Sequence, residues 1–275
     1  MSVINTNVSA LDSQGALKTN ERAMSAVMQQ LSTGSRVNSA KDDAAGLAIG
    51  QTMTAQIRGL NQAVRNLNDS INMMQTAEGA MTEVSNMLQR MRELAVQSSN
   101  ATYSSTQRGY LHTEFAALSS QITKVGNETL WNGTQLLANG ATSFVFQAGA
   151  MATQTVTGVV ATAITAVGLG VDTASILIDT APRASTAITA LDHALGVVNT
   201  QRASFGAVIN QMAFGADNLT NIASNTTTSR STIMDTDYAQ ATTQLAKNQI
   251  IQQAATAMLA QANQQPQGMM ALLKG

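Results

Sequence analysis

The chain has 275 residues, 44% of them hydrophobic but only 3% aromatic and 11% charged, against about 25% charged in ordinary soluble domains. So few aromatics argue against a large globular core, and polar faces built from Gln, Asn, Ser and Thr beside Ala suit helices whose outer sides also meet protein. A net charge of -1 leaves no electrostatic footprint for nucleic acid or anionic membrane, and the lack of cysteine excludes disulfides, thiol catalysis and cysteine-based zinc sites while leaving the redox compartment open.

Met1 to Asn20 has neither the basic flank nor the apolar run of a secretory signal peptide, so no cleaved signal of that kind is expected. The first ten residues read as a flexible lead. A helix is predicted from about Leu11, with Leu17, Met24, Met28 and Leu31 at heptad-compatible spacing, and Ser32 to Ser35 interrupt it. Ser39 is expected to cap the next helix, with Asp42 in a capping-box relation and Asp43 in the positive first turn. Helix-end electrostatics accounts for these two aspartates more simply than metal binding does.

Asp42 to Gln97 organises the rest. Met53, Ile57, Leu60, Val64, Leu67, Ile71 and Met74 step four and three, and the pattern resumes through Ala77, Met81, Val84, Leu88, Met91 and Ala95. Two successive steps of three around Met74 read as a stammer, a local overwinding of a coiled coil. At ~1.5 Å per residue this helix would be about 85 Å long. Polar Ser98 to Tyr103 ends it, Ser104 and Gln107 form a second capping-box candidate, and Leu111, Phe115, Leu118, Ile122 and Val125 predict a third helix folding back on the second.

Asn132-Gly133, after Trp131, is a strong turn signal. From Leu136 to Ile178 the period changes: Phe144 and Phe146 flank Val145, and Val156, Gly158, Val160, Thr162 and Ile164 alternate with small residues, which predicts short hairpins. Gly158 to Val171 is apolar but too short and too interrupted for a membrane span. Pro182 suits a helix entrance. Ile188, Leu191, Leu195, Val198, Arg202, Phe205, Ile209, Met212, Ala216 and Leu219 then form a second long seam, with a register shift expected near Arg230. Leu245, Ile250, Ala254 and Met258 mark a last helix, which Pro266 should end or kink, leaving an apolar tail of Met269, Met270, Leu272 and Leu273. Breaks near both ends imply that the terminal helices pair with each other, leaving the β-rich middle at the far tip of a folded-back rod.

A search for chemistry finds no HExxH, P-loop, GxSxG or dinucleotide-binding pattern. His112 and His193 stand on different helices in no metal-ligand spacing, and Asp235 with Asp237 reads as first-turn helix acids rather than an acid/base pair. Most seam methionines read as flexible core filling. No catalytic residue, cofactor or metal is expected.

Several motifs then become recognisable in order. Ile4-Asn5-Thr6-Asn7, Leu31-Ser32-Thr33-Gly34, Arg36 through Ile49, and Leu88 through Gln97 resemble the N-terminal half of bacterial flagellins; Gln201 to Ala207, and Ile250 through Gln264 with Pro266, resemble the C-terminal half. The resemblance implies a mainly α fold: a long antiparallel helical coiled-coil bundle built from both termini, with a small central β-hairpin region. It also implies export through the flagellar type III pathway, an extracellular location, and self-assembly into a helical homopolymer, with flagellar cap, export chaperone and junction proteins as partners. Residues 1–40 and 235–275 would form the inner terminal-helix layer, D0, with Leu17, Met24, Met28, Leu31, Leu245, Ile250, Ala254 and Met258 as its polymerisation seam. Residues 41–135 and 183–234 would form the D1 bundle, and 136–182 its hairpin tip, without large outer domains. The family's segment sensed by a Toll-like receptor of animals matches at Gln89, Arg90, Glu93, Leu94 and Glu114, which would also be an intersubunit contact; Trp131 and Met151 depart from the usual pattern of the β region. A hook-filament junction protein shares the terminal architecture and stands as the alternative. From other classes, a signalling coiled coil would need a ligand or kinase-partner domain, and a hydrolase insert would need a metal-binding helix within Leu136 to Ile178.

Overall fold

The computed structural model describes residues 6–140 and 142–274, with side chains as far as residue 264. Ile4 and Asn5 of the first motif, and the side chains of Met269, Met270, Leu272 and Leu273, lie outside the described residues. Five helices carry the chain: α1 (Val8–Thr33), α2 (Ala44–Ser99), α3 (Ser105–Glu128), α4 (Ala181–Met234) and α5 (Tyr238–Lys274). Between α3 and α4 lie two antiparallel hairpins, β1 (Leu130–Trp131) with β2 (Thr134–Gln135), and β3 (Thr142–Gln147) with β4 (Thr155–Val160). The chain divides into two compact units, 1–57 with 224–275 and 58–223.

The helix ends follow local chemistry. Asn7 caps α1 by accepting the Ala10 N–H at 3.1 Å, so the helix starts at Val8, ahead of the Leu11 predicted from apolar spacing alone. Gly34, at φ 70°, closes it in the left-handed conformation that glycine adopts without a Cβ penalty. At α2 the expected roles are exchanged. Asp43 does the capping, its Oδ1 accepting the Gly46 N–H at 2.8 Å, while Ser39 donates both its N–H and its hydroxyl to Asp42 Oδ2. The carboxylate is the better acceptor of the pair, so it takes the orphan N–H groups. Ser104 and Gln107 form the expected reciprocal box at α3.

In the 58–223 unit a stripe of buried α2 positions runs Leu60, Ala63, Leu67, Ser70, Met74, Ala77, Met81, Val84, Leu88, Met91, Ala95 and Ser98, alternating three and four without a fault, with Met73, Ser85 and Leu94 buried beside it. No stammer sits at Met74. The apparent one arose because Val64 and Ile71 are more apolar than Ala63 and Ser70, yet the small residues hold the seam and the branched ones flank it, half-buried. On α4 the stripe is Ala184, Ala187, Leu191, Ala194, Val198, Gln201, Phe205, Met212, Ala216 and Leu219. Phe115 and Ile122 of α3 complete the helical core.

Asn132 (φ 47°) and Gly133 (φ 80°) make the two-residue turn of the first hairpin, the left-handed pair such a tight connection requires. In the second hairpin Phe144 pairs with Gly158 and Phe146 with Val156, their side chains packed on the helical core. Gly158 leaves room for the Met74 methyl, which a Cβ there would have to push aside. The hairpin does not sit at the end of the helices. Ala150, in its connecting loop, lies over Gly59, where an added Cβ would stand 3.0 Å away, whereas the end of α2 meets other groups, Ser98 Oγ donating to Ile178 O. Apolar Phe144, Phe146 and Val156 gain more by lying along the bundle than by capping it. The alternation read as far as Ile164 stops at Val160, since Ala161 N–H turns to Gln201 Oε1; from there Ile164, Val171, Ile176 and Ile178 bury themselves from irregular backbone.

Two helices run on past residues where the sequence suggested a change. α4 continues through Arg230 to Met234, with neither Gly nor Pro to stop it, and the break falls at Asp235 to Asp237, where Asp237 Oδ1 accepts the Ala239 N–H at 2.9 Å. α5 continues through Pro266 to Lys274. A proline removes one helical donor, and a helix held by a partner can absorb that loss.

Candidate assembly surfaces

In the unit formed by 1–57 and 224–275, α1 packs against α5. The inward positions of α1 are Ala10, Ser13, Leu17, Asn20, Met24, Val27 and Leu31; those of α5 are Ala241, Leu245, Asn248, Gln252, Ala255, Leu259 and Ala262. Both sets keep heptad spacing. Of the eight residues predicted for this seam, Leu17, Met24, Leu31 and Leu245 face inward. Met28 (48% exposed), Ile250 (67%), Met258 (65%) and exposed Ala254 face outward. The eight thus divide between the contact of α1 with α5 and the outer faces of the pair, because some buried heptad positions are polar. Asn20 is buried and donates through Nδ2 to the Asn248 carbonyl at 2.8 Å, and Asn248 and Gln252 themselves occupy heptad positions.

The seam therefore mixes apolar residues with four polar ones, and large apolar side chains also stand on the outer faces of the pair. Val8, Leu11 and Met28 of α1, with Ile250, Ile251 and Met258 of α5, are all exposed. Apolar side chains at helical spacing on an outer face mark a protein-binding surface. At the helix breaks, Arg36 N–H donates to Met234 O at 2.7 Å and Thr236 N–H to Gly34 O at 2.9 Å, so the two connectors are stitched together. Met234 also presses on Gly50, where a Cβ would lie 2.5 Å from its sulfur.

In the other unit, Arg90 bridges α2 and α3 by binding Glu93 and Glu114 at 2.9 Å each. Glu93 first, then Glu114, raises the Arg90 pKa above its ordinary value. Gln89, Arg90, Glu93 and Glu114 are exposed together, a polar patch open to a partner. Leu94 is 1% exposed and belongs to the core, so it stands apart from the other four. Arg92 pairs with Asp192 of α4 at 2.6 Å, which raises the Arg92 pKa.

His112 stacks on Phe115 at 6.2 Å and His193 is exposed on α4. Asp235 and Asp237 lie at the helix break. Among the described residues no three His, Cys, Asp or Glu converge as a metal site, and no helix is long and apolar enough to cross a membrane. One functional-looking residue had no sequence signal: Arg108, buried without a carboxylate, gives its guanidinium to the carbonyls of Ser98, Asn100 and Tyr103.

Residues 4–142 match the model of the bacterial flagellin N-terminal helical region and residues 188–273 that of the C-terminal helical region. The chain is 37% identical over 286 residues to the flagellar filament 33 kDa core protein of Treponema phagedenis, covering 99% of this chain and 100% of that protein. It is 52% identical over 101 residues to the B-type flagellin of Pseudomonas aeruginosa, covering 37% of this chain and 21% of that one, and the matches to Vibrio flagellins likewise span under a third of those relatives. Among solved structures it resembles Bacillus cereus flagellin, with TM-score 0.50, 29% identity, and coverage of 59% of this chain and 94% of that one. A candidate flagellar hook-associated protein from Vibrio parahaemolyticus shares the fold at TM-score 0.59 and 12% identity, covering 70% of this chain and 99% of that one.

Proposed function

The chain belongs to the bacterial flagellin family, and from that premise we propose that it is the repeating subunit of an extracellular helical filament, joined to its neighbours through the outward faces of α1 and α5. It is a structural protein of the flagellar filament. The observation that carries the assembly reading is the apolar outer face of the α1–α5 pair: Ile250 and Met258 are two-thirds exposed, and Val8, Leu11 and Met28 are exposed beside them on α1. Leaving such residues in water costs roughly 1.5–3 kcal/mol for each large side chain. A neighbouring copy that covers them recovers this.

In this proposal residues 1–40 and 235–275 form the inner layer, 41–135 and 183–234 the surrounding bundle, and 136–182 the hairpin region lying along it. The subunit is exported by the flagellar type III apparatus, with the export chaperone, the junction proteins and the cap as successive partners. The exposed Gln89, Arg90, Glu93 and Glu114 patch serves as an intersubunit contact in the filament and as a host-receptor contact in the monomer, and Leu94 supports it from beneath.

Seeded polymerisation tests the reading. Purified full-length chain should elongate short filament fragments into long tubes seen by electron microscopy, and a chain lacking 235–275 should not, while its 58–223 unit stays helical by circular dichroism. Normal tubes from the truncated chain would overturn the assignment.

A further inference from the structure

Three side chains join α1 to α5 by donating to main-chain carbonyls of the opposite helix: Asn7 Nδ2 to Ala262 O at 2.8 Å, Asn20 Nδ2 to Asn248 O at 2.8 Å, and Tyr238 OH to Leu31 O at 3.2 Å. Inside a helix a carbonyl already accepts an N–H from four residues on, so a second donor is ordinarily a supplement. Ala262 is different. Four residues on stands Pro266, within α5, and proline has no N–H to give. The Ala262 carbonyl is therefore left without its helical donor on a residue only 7% exposed, where an unsatisfied acceptor is costly. Asn7 supplies that donor, and with its other amide atom, Oδ1, it caps α1 by accepting the Ala10 N–H.

We propose that Asn7 and Pro266 form a register latch: the proline opens one carbonyl on α5, and the asparagine that starts α1 fills it. Apolarity alone fixes the register poorly here, because the seam contains Ser13, Asn20, Asn248 and Gln252. A slip of one heptad, about 10 Å along the axis at ~1.5 Å per residue, would bring Asn7 to Ala255, whose carbonyl lies four residues before Leu259 and so faces a normal N–H donor. Only the native register matches the free donor to the free acceptor. Asn7 is thus a positioning residue for the start of α1, and Pro266, a helix breaker by composition, becomes a specificity element. The latch acts within one chain and stands whether or not the polymer reading holds.

Two variants isolate it in the full chain. Asn7→Asp keeps the capping oxygen but removes the amide donor; Pro266→Ala returns an N–H to Ala262 and removes a helix breaker, so it preserves folding. Amide exchange over residues 10–16 should quicken on the order of ten-fold in Asn7→Asp, the effect of one lost buried hydrogen bond, and should change much less when Asn7→Asp is placed in the Pro266→Ala background. The 58–223 unit serves as the unchanged internal reference. Nitroxide labels on cysteines placed at exposed positions 14 and 253, clean because the chain has no cysteine, report register directly. A single narrow distance is expected for the wild-type chain, and Pro266→Ala should broaden it toward heptad-slipped populations although it strengthens the helix. Equal exchange effects of Asn7→Asp in both backgrounds, or a narrow distance distribution in Pro266→Ala, would overturn the latch.

Discussion

Replacing Arg108 with methionine removes a buried cation while keeping most of its apolar stem, and so tests how the long helix is ended. Arg108 is 7% exposed, and its guanidinium binds Ser98 O, Asn100 O at 3.0 Å and Tyr103 O at 3.3 Å, all at or just beyond the last turn of α2. These carbonyls lie at the negative end of a 56-residue helix. Three charge-assisted bonds at about 1.5–3 kcal/mol each, less the several kcal/mol of desolvation that methionine avoids, put the loss at roughly 3–4 kcal/mol. For a unit of about 150–250 residues that is on the order of 10 °C in melting temperature. Calorimetry of the full chain should show the 58–223 transition lowered by that much, with Arg108→Lys recovering part of it through a single donor group. A shift below about 2 °C for Arg108→Met would refute the reasoning, because it would mean that water satisfies those carbonyls equally well.

Other consequences are as direct. A Cβ at Gly126 would collide with the Ile164 carbonyl oxygen, a backbone atom held by the Ile164 N–H to Leu137 O bond, so Gly126→Ala should destabilise by about 1–3 kcal/mol in denaturant titration. The Ser39 hydroxyl, followed by the backbone N–H groups of Ser39 and Asn38, holds the Asp42 carboxyl below its ordinary value. Its contribution is therefore complete above the unfolded pKa and is lost as pH falls through the depressed folded one; carboxylate titration by NMR should place Asp42 below an unstructured aspartate, and Asp42→Asn should remove the acid sensitivity of amide exchange at 38–46. Arg90→Ala should barely move the melting temperature, since its ion pairs are solvent-exposed. If the patch is the receptor contact, the same variant should weaken receptor activation by monomer.

Long-range order was readable where chemistry and period agreed. Ser104 with Gln107, Asn132-Gly133, and the heptad steps through Met81, Val84, Leu88 and Met91 all behave as local rules require. Errors cluster where a small or polar residue occupies a buried heptad position. Ser70 satisfies its hydroxyl on Asn66 O of its own helix, while Gln201 binds the main chain of β4 and Ala161 and Asn20 binds Asn248 O, partners that only the folded chain provides. A search for apolar stripes steps over them onto Ile71, Arg202 or Ile250. In the helical bundle the neighbouring branched residues still pack on the core, so the slip does little harm. On α5 it passes over Asn248 and Gln252 onto Ile250, Ala254 and Met258, which lie on the exposed face.

The apolar outer face of α5 is the centre of the assembly proposal, and Met258→Lys addresses it most directly. The side chain is 65% exposed and outside the α1–α5 seam, so the variant should keep wild-type helicity and the same α1–α5 exchange protection. Elongation from filament seeds should fall by at least about ten-fold, as expected from burying an uncompensated charge in an interface. Full-rate elongation into normal tubes, or loss of α1–α5 protection in the monomer, would contradict the claim that the outer face of α5 is where one subunit meets the next.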